Sequence, residues 1–164
     1  TISDLDTGWV AGVIDGEGTI TVTLRVTAKS TERNQLRAQV QVANTDMRLI
    51  HRVGRIMDVR GGLINEVRKN PRPAHHKQCV IWIAHRTPEV RAICDWIGPH
   101  LTIKSTHAAL VAEFCESRME LWHQPHTPRE WEIANEVRKL NGRRKAKYTL
   151  FHANTAQESG QKEE

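Results

Sequence analysis

The feature that most restricts the fold of this chain is the stretch GWVAGVIDGEG, from Gly8 to Gly18. Gly8, Gly12 and Gly16 fall four residues apart in a run whose apolar residues otherwise predict a helix. On a helix this spacing forms one stripe, and each interior glycine costs roughly 1 kcal/mol relative to alanine. Close approach by a second helix would offset that cost. The stripe therefore predicts a helix–helix interface, and the alternatives are glycines in a loop or in an ordinary core helix.

Two acidic residues lie where this helix is predicted to end. Asp15 and Glu17 fall at its carboxyl end, where the helix dipole disfavours a negative charge by roughly 0.3–1 kcal/mol. We therefore expect a positive group beside them. If two copies of the helix pack through their glycine stripes, the carboxylates converge, and a divalent cation that prefers oxygen ligands, such as Mg²⁺, is the natural counter-charge. That geometry suits metal-assisted hydrolysis of a phosphodiester.

The rest of the chain alternates between pairs of strands and helices. Polar and apolar residues alternate over residues 19–24 and 39–42, which predicts a hairpin. A helix is predicted next, then a second pair of strands, then further helices. This order predicts an α+β domain of αββαββα type, in which helices cover one face of a four-stranded antiparallel sheet. We assign the domain to residues 1–148 and expect the polar residues 149–164 to be disordered.

Several helix starts and core residues are also predicted. Asn44 or Thr45 is expected to cap the second helix and Thr87 the third, while Thr127 and Glu130 form a capping box at the last. Four tryptophans fall at apolar positions of predicted helices and are expected in the core: Trp9, Trp96, Trp122 and Trp131.

The face of the sheet that the helices leave open is predicted to be polar and basic. By alternation it carries the following side chains: Thr21, Thr23, Arg25, Arg37, Gln39 and Gln41. Residues 25–104 contain fifteen basic and six acidic residues, whereas residues 1–24 contain four acids and no Lys or Arg. Such a segmental excess indicates a polyanion partner, and nucleic acid fits best. A polar face left to water is the alternative.

Other classes of protein are disfavoured by the sequence. No apolar run approaches the ~18 to 20 residues that cross a bilayer, so we expect no membrane partner. Cys79, Cys94 and Cys115 lie in apolar surroundings, as buried free thiols do, which indicates a reducing, intracellular location, in an organelle or outside one. Histidines are present, but no second pair of ligands accompanies them at the spacing of a zinc site.

The segment VAGVIDGEG resembles the signature of the LAGLIDADG homing endonucleases, with Val10 in the first position and Glu17 in place of the second Asp. Two further segments resemble single-motif members of that family. QVQVANTDMRL is similar to their second strand and the following helix start, and GPHLTIKSTHAALV to their P-x-L-x-I-K-x-x-x-A-x-L segment. The order of elements agrees along residues 4–142, so the resemblance covers nearly the whole predicted domain.

The resemblance implies roles for individual residues. Glu17 matches the acid that binds the catalytic metal, and the carbonyl of Gly16 matches a further ligand. Asp15 matches the acid that caps and braces the helix interface. Three more positions match the polar and basic groups around the scissile phosphate: Asn44, where the family commonly has Gln, Arg48, for which Arg52 and Arg55 are rivals, and Lys104.

The resemblance also implies an activity. It implies a homodimer with a saddle-shaped sheet that reads a long pseudo-palindromic site on double-stranded DNA and cleaves both strands with Mg²⁺ or another divalent cation such as Mn²⁺, for intron or intein homing. No small-molecule cofactor is expected. The alternatives are an intron RNA maturase and a non-cleaving DNA-binding protein on the same fold. The residues expected to contact DNA are Thr21, Thr23, Arg25, Lys29, Arg33, Arg37, Gln39, Gln41, Asn65, Arg68, Lys69 and Lys77.

Overall fold

The computed structural model describes residues 2–25, 35–66 and 78–142, which form five α-helices and four strands. In chain order the elements are α1 (Asp4–Glu17), β1 (Gly18–Arg25), β2 (Gln35–Asn44), α2 (Met47–Met57), β3 (Leu63–Glu66), β4 (Val80–Ala84), α3 (Thr87–Ile97), α4 (Ser105–Glu120) and α5 (Pro128–Leu140). The predicted α+β class and element order are confirmed. The expected domain boundary at residue 148 and the polar tail lie outside the described residues.

The four strands form one antiparallel sheet in the order β1-β2-β4-β3. Gly18 lies opposite Val42 and Arg25 opposite Gln35, so β1 pairs with β2 along the whole length of β1. Val42 also lies opposite Trp82 of β4. The carboxyl end of α1 therefore joins the sheet at the end where β2 finishes.

The core lies on one face of this sheet, beneath the helices. Ile20 and Val22 of β1, Val40 of β2 and Trp82 of β4 are each at most 1% exposed. All five helices contact the sheet. Trp131 is buried as predicted, while Trp9 and Trp96 are partly buried against the core. Within the described ranges, no helix is both long enough and apolar enough to cross a bilayer.

The cysteines are reduced, as the sequence predicts. Cys94 and Cys115 are buried free thiols, and Cys79 is a half-buried one. Burial raises the pKa of Cys94, and it raises the pKa of Cys115 to about 12. Both buried thiols are therefore protonated at neutral pH and act as small apolar side chains of the core.

A buried polar network joins α4 to α5. The Glu130 carboxylate is fully buried and accepts from Arg118 Nη1 at 3.0 Å and from Ser117 Oγ at 2.6 Å. The predicted capping box is confirmed, because Thr127 Oγ1 accepts from the Glu130 N–H at 3.2 Å and Glu130 Oε2 accepts from the Thr127 N–H at 3.1 Å. Leaving such a charge unpaired would cost roughly 3–5 kcal/mol, so the network holds the two helices in one arrangement.

Two predicted helix caps are wrong by one or two residues. Asp46 caps α2, because its Oδ1 accepts from the Arg48 N–H at 2.9 Å. Asn44 instead accepts from the Asp46 N–H at 2.8 Å, so it shapes the turn before the helix. Thr87 is the first residue of α3, and the capping position belongs to Arg86, whose side chain makes no capping bond.

Candidate active site

The carboxyl end of α1 is fastened to the segment that leads into α4. The Asp15 carboxylate accepts from three consecutive backbone N–H groups, those of Thr102 at 2.7 Å, Ile103 at 3.2 Å and Lys104 at 3.0 Å. Burial works to raise the pKa of Asp15, but these bonds and the charge of Lys104 outweigh it, so the pKa lies below 3.8. Asp15 is therefore an ionised brace between α1 and α4.

Lys104 supplies the positive group expected beside the two acids. Its Nζ donates to the carbonyl oxygen of Ile14 at 2.8 Å and to that of Asp15. These carbonyls belong to the last turn of α1, where a cation interacts favourably with the helix dipole. The single chain therefore neutralises the end of α1 with its own lysine, and this lysine ammonium is held within one turn of Glu17.

Glu17 is the last residue of α1, and its side chain is exposed. Among the described residues it has no hydrogen-bond or ion-pair partner. The next residue, Gly18, begins β1, and its N–H donates to the carbonyls of Ile14 and Val13. A Cβ on Gly18 would lie 2.7 Å from the Ile14 Cα and 2.8 Å from its carbonyl oxygen. Glycine is thus required for the direct step from helix to strand that presents Glu17.

The structure places Asn44 at this same end of the sheet and pairs Arg48 with Asp46, two residues beyond Asn44. Asn44 is the last residue of β2, two positions beyond the residue that pairs with Gly18. The Arg48 guanidinium is 93% exposed and pairs with Asp46 at 2.8 Å. This pairing lowers the pKa of Asp46 to about 2. Among the described residues, the ion-pair partner of Arg48 is therefore Asp46, in the turn before α2.

Arg52, the alternative to Arg48 in α2, contacts α1 instead. Its guanidinium lies 4.1 Å from the ring centroid of Trp9, and Nη2 lies 3.7 Å from Asp6 Oδ1. Both partners lie in the first half of α1, away from Glu17. A cation over an indole face stabilises by roughly 0.5–1 kcal/mol at such partly exposed sites, so Arg52 packs α2 onto α1.

The glycine stripe of α1 is bare in the single chain. Gly8, Gly12 and Gly16 are exposed, and a Cβ built on any of them would meet nothing within 4 Å. Leu5, one turn before Gly8, is 79% exposed. The opposite side of the helix is buried through Val10 and its neighbours. The contact that the glycines predict is therefore absent among the described residues.

The sheet face away from the helices is polar over only half its width. Directly opposite residues share a face. Thr21 pairs with Gln39 and Thr23 with Arg37, so these four residues lie together on the face for which they were predicted. The other half carries a different set of residues: Ala43, Leu63, Ile81 and Ile83, with Asn65 opposite Ile81. Five of the residues expected to contact DNA lie outside the described residues: Lys29, Arg33, Arg68, Lys69 and Lys77.

One tryptophan prediction is wrong. Trp122 is 64% exposed, because α4 ends at Glu120 and the chain then turns. The polar residues after it and Pro125 were the available sequence signal, since proline is common just beyond a helix end. Two residues that sequence reasoning missed, His85 and Arg86, line the same cleft as Trp122.

No metal-binding cluster exists within the described residues, where no three His, Cys, Asp or Glu side chains come together. The exposed carboxylate of Glu17 and the carbonyl of Gly16 are oxygen donors of the type that Mg²⁺ prefers. Mg²⁺ binds through one or two carboxylates plus substrate phosphates and water. The donors of one chain therefore fit part of such a site.

Comparison with known proteins shows a shared fold. The sequence matches no protein-family model and no curated protein. The homing endonuclease I-CvuI, in complex with DNA target and Mg, is 16% identical with a TM-score of 0.64, covering 88% of this chain and 85% of that one. The archaeal intron-encoded homing endonuclease I-Vdi141I, complexed with DNA, is 16% identical with a TM-score of 0.65 and 84% coverage of both chains. The group I intron-encoded homing endonuclease I-CeuI, complexed with DNA, is 12% identical with a TM-score of 0.67, covering 90% of this chain and 72% of that one. The chain therefore has the fold of the homing endonucleases.

Proposed function

We propose that this protein is a site-specific DNA endonuclease that acts as a homodimer and makes a metal-dependent double-strand break at a long pseudo-palindromic site. The observation that carries the proposal is the exposed Glu17 carboxylate at the end of α1, with the Lys104 ammonium beside it and a half-polar sheet starting at the next residue. The shared fold with endonucleases solved on DNA supports the same reading.

Glu17 and the Gly16 carbonyl would hold the divalent cation, either Mg²⁺ or Mn²⁺. When bound, the cation activates water and stabilises the leaving oxygen. Nothing inside the described chain competes for the Glu17 carboxylate, whereas Asp15 is occupied by three N–H groups. The two acids therefore have separate roles, Asp15 as a brace and Glu17 as the ligand.

The surrounding residues of the chain position the substrate. Lys104 keeps a positive charge where a scissile phosphate would meet the end of α1, and such preplaced charge stabilises the charge that develops in the transition state. Asn44 orients water at the same end of the sheet. Arg48 exchanges its exposed partner Asp46 for a phosphate, and the loss is small because exposed ion pairs contribute little to stability.

The glycine stripe joins two copies of the chain. Each copy contributes one Glu17, so pairing of the α1 helices supplies an active site with two carboxylates. The bare face of Gly8, Gly12 and Gly16 and the exposed Leu5 fit this contact, because small residues allow close helix packing and an exposed leucine gains from burial.

The open sheet face reads the DNA. Arg37, Gln39 and Gln41 present donors that match base edges and phosphates in a major groove. Neutralising phosphates with basic residues makes binding fall steeply as salt rises. Pairing of two identical sheets predicts that each half-site is read by the same residues.

The test is Glu17→Gln, which removes a charge and nearly keeps the size. A randomised plasmid library with Mg²⁺ first identifies the site of the natural chain. Cleavage of that site by the variant should fall at least about 100-fold, because the metal ligand is lost, while gel shifts show unchanged binding by the basic sheet. Asp4→Asn, at an exposed acid in the first turn of α1, is the matched control and should cleave normally.

Other outcomes separate the alternatives. Full cleavage by Glu17→Gln contradicts the mechanism, and parallel loss of binding and cleavage makes Glu17 a structural residue. A natural chain that binds a DNA site and never cleaves it identifies the non-cleaving regulator, and binding to structured intron RNA alone identifies the maturase.

A further inference from the structure

A second cleft lies at the opposite end of the sheet from Glu17. It has a volume of about 550 Å³ and is formed where β1 ends, β2 begins and α3 starts. Three arginines and a tryptophan are among the residues that line it: Arg25, Arg37, Arg86 and Trp122. Strand β1 has eight residues, so at about 3.4 Å per residue the cleft lies roughly 24 Å from Glu17.

The cleft concentrates positive charge. Arg37 lies opposite Thr23, and Arg25 is two residues further along β1, so the two arginines lie on the same face of neighbouring strands. Burial and the charge of Arg25 lower the pKa of Arg37. Neither has an ion-pair partner within the described ranges. Arg86 contacts Glu89 at only 3.5 Å and is 76% exposed. Three arginines at the amino end of α3, a helix that favours anions there, fit a phosphate group.

The aromatic wall of the cleft is held in place from the interior. Trp122 stands on the turn after α4, and Arg118 donates to the carbonyls of Leu121 and Gln124 on either side of it. Arg118 is itself anchored by the buried Glu130 at 3.0 Å. The turn is thus braced by a buried ion pair while the indole is 64% exposed. An exposed indole on this braced turn, beside arginines, offers a flat apolar surface to a ligand that also carries negative charge.

We infer that this cleft binds a nucleotide of a single-stranded nucleic acid, with the base stacked on Trp122 and the phosphates held by Arg25, Arg37 and Arg86. Duplex DNA presents phosphates but keeps its base faces covered by neighbouring base pairs, whereas an unpaired base leaves a face free to stack on an aromatic ring. The combination of arginines with an exposed indole therefore selects the unpaired form.

The test measures binding of labelled eight-nucleotide single-stranded DNA and RNA, and of a short duplex DNA, by fluorescence anisotropy, in the Glu17→Gln background and without any cleavage target. Trp122→Ala should weaken binding about 5- to 150-fold, as loss of one stacked base predicts. Trp122→Phe should restore most of the affinity. Arg86→Ala should reduce the steepness of the plot of log affinity against log salt concentration by about one.

Matched controls come from exposed residues elsewhere. Met119→Ala, at a side chain 50% exposed on α4, and Lys139→Ala, at an exposed lysine in the last turn of α5, should bind the oligomers normally. The ratio of DNA to RNA affinity identifies the source of the single strand. The inference is overturned if Trp122→Ala binds the single strands as tightly as the natural chain does, or if it loses equal affinity for single strands and for duplex. Because no cleavage is measured, either result leaves the nuclease proposal to its own test.

Discussion

The carboxyl end of helix α1 and its glycine stripe differ in how many contacts they make within the single chain. At its carboxyl end, Asp15, Lys104 and Gly18 are each fitted to a partner inside the same chain, with contacts at 2.7–3.2 Å. Along the glycine stripe, by contrast, a Cβ at Gly8 or Gly12 would meet nothing within 4 Å. The same residue type is thus required by an internal contact at one place and left open at another.

This difference distinguishes glycines that the fold of one chain requires from glycines that only a contact with another chain would require. A glycine that touches its own backbone, as Gly18 touches Ile14, is explained by the fold of one chain. Glycines that lower helix stability and touch nothing are not explained by that fold. The open stripe is therefore the surface where a second copy is expected, and four substitutions test the distinction.

Gly12→Leu should have the largest effect, and it should weaken association without destabilising the single chain. Overpacking costs roughly 1–3 kcal/mol per site, and both copies carry the change, so the dimer dissociation constant should rise at least about 100-fold. Thermal melting of the dilute monomer should not fall and should rise slightly, because the position is open and leucine lacks the helix penalty of glycine. Sedimentation velocity measures the first quantity. Glu136→Leu on the exposed side of α5 is the control, and a natural dimer constant in Gly12→Leu would refute the interface.

Gly18→Ala should destabilise the single chain by roughly 1–3 kcal/mol, because the added methyl meets the Ile14 backbone and the first residues of β1 must shift. Urea unfolding of the dilute protein measures this. Gly16→Ala, two residues earlier and open, is the matched control. Equal stability of the natural chain and Gly18→Ala would show that the step from helix to strand is not tight.

Asp15→Asn should cost about 1 kcal/mol at neutral pH, since charge-assisted bonds to three N–H groups become neutral ones. The pKa of Asp15 is lowered in the folded chain. Its contribution is therefore complete above pH 3.8 and is lost as the pH falls through the lowered value. Urea titrations across this range should show a steeper acid loss in the natural chain. Identical pH profiles would contradict the brace.

Gly8→Ala should have the smallest effect and the opposite sign. With nothing within 4 Å, the substitution relieves the helix penalty and should stabilise the dilute monomer by up to about 1 kcal/mol. Calorimetry at low concentration measures it, with Gly62→Ala as a control that should destabilise, because Gly62 has φ of 102° and lies against Trp82. Destabilisation by Gly8→Ala would reveal an internal contact on the stripe.

Short-range patterns were sufficient for most of the fold. Period-two alternation located β1 and β2, and the capping box located the start of α5. Asn44 and Thr87 were misassigned as caps because several adjacent polar residues are chemically able to cap, and the choice among them depends on the turn geometry. Trp122 was misassigned because helical spacing continues past the residue at which α4 ends.

Parts of the candidate site were likewise predictable from local sequence, and other parts depended on tertiary packing. The acids and glycines of α1 are local, so the order of the residues alone placed Asp15 and Glu17 at a helix end and predicted a positive neighbour. That this neighbour is Lys104, 87 residues or more along the chain, that Arg48 pairs with Asp46, and that Arg86 and Trp122 share a cleft were decided by tertiary packing. The physical reason is range. Backbone hydrogen bonding and side-chain periodicity act over a few residues, whereas contacts between distant segments exist only once the sheet and its helices have brought them together.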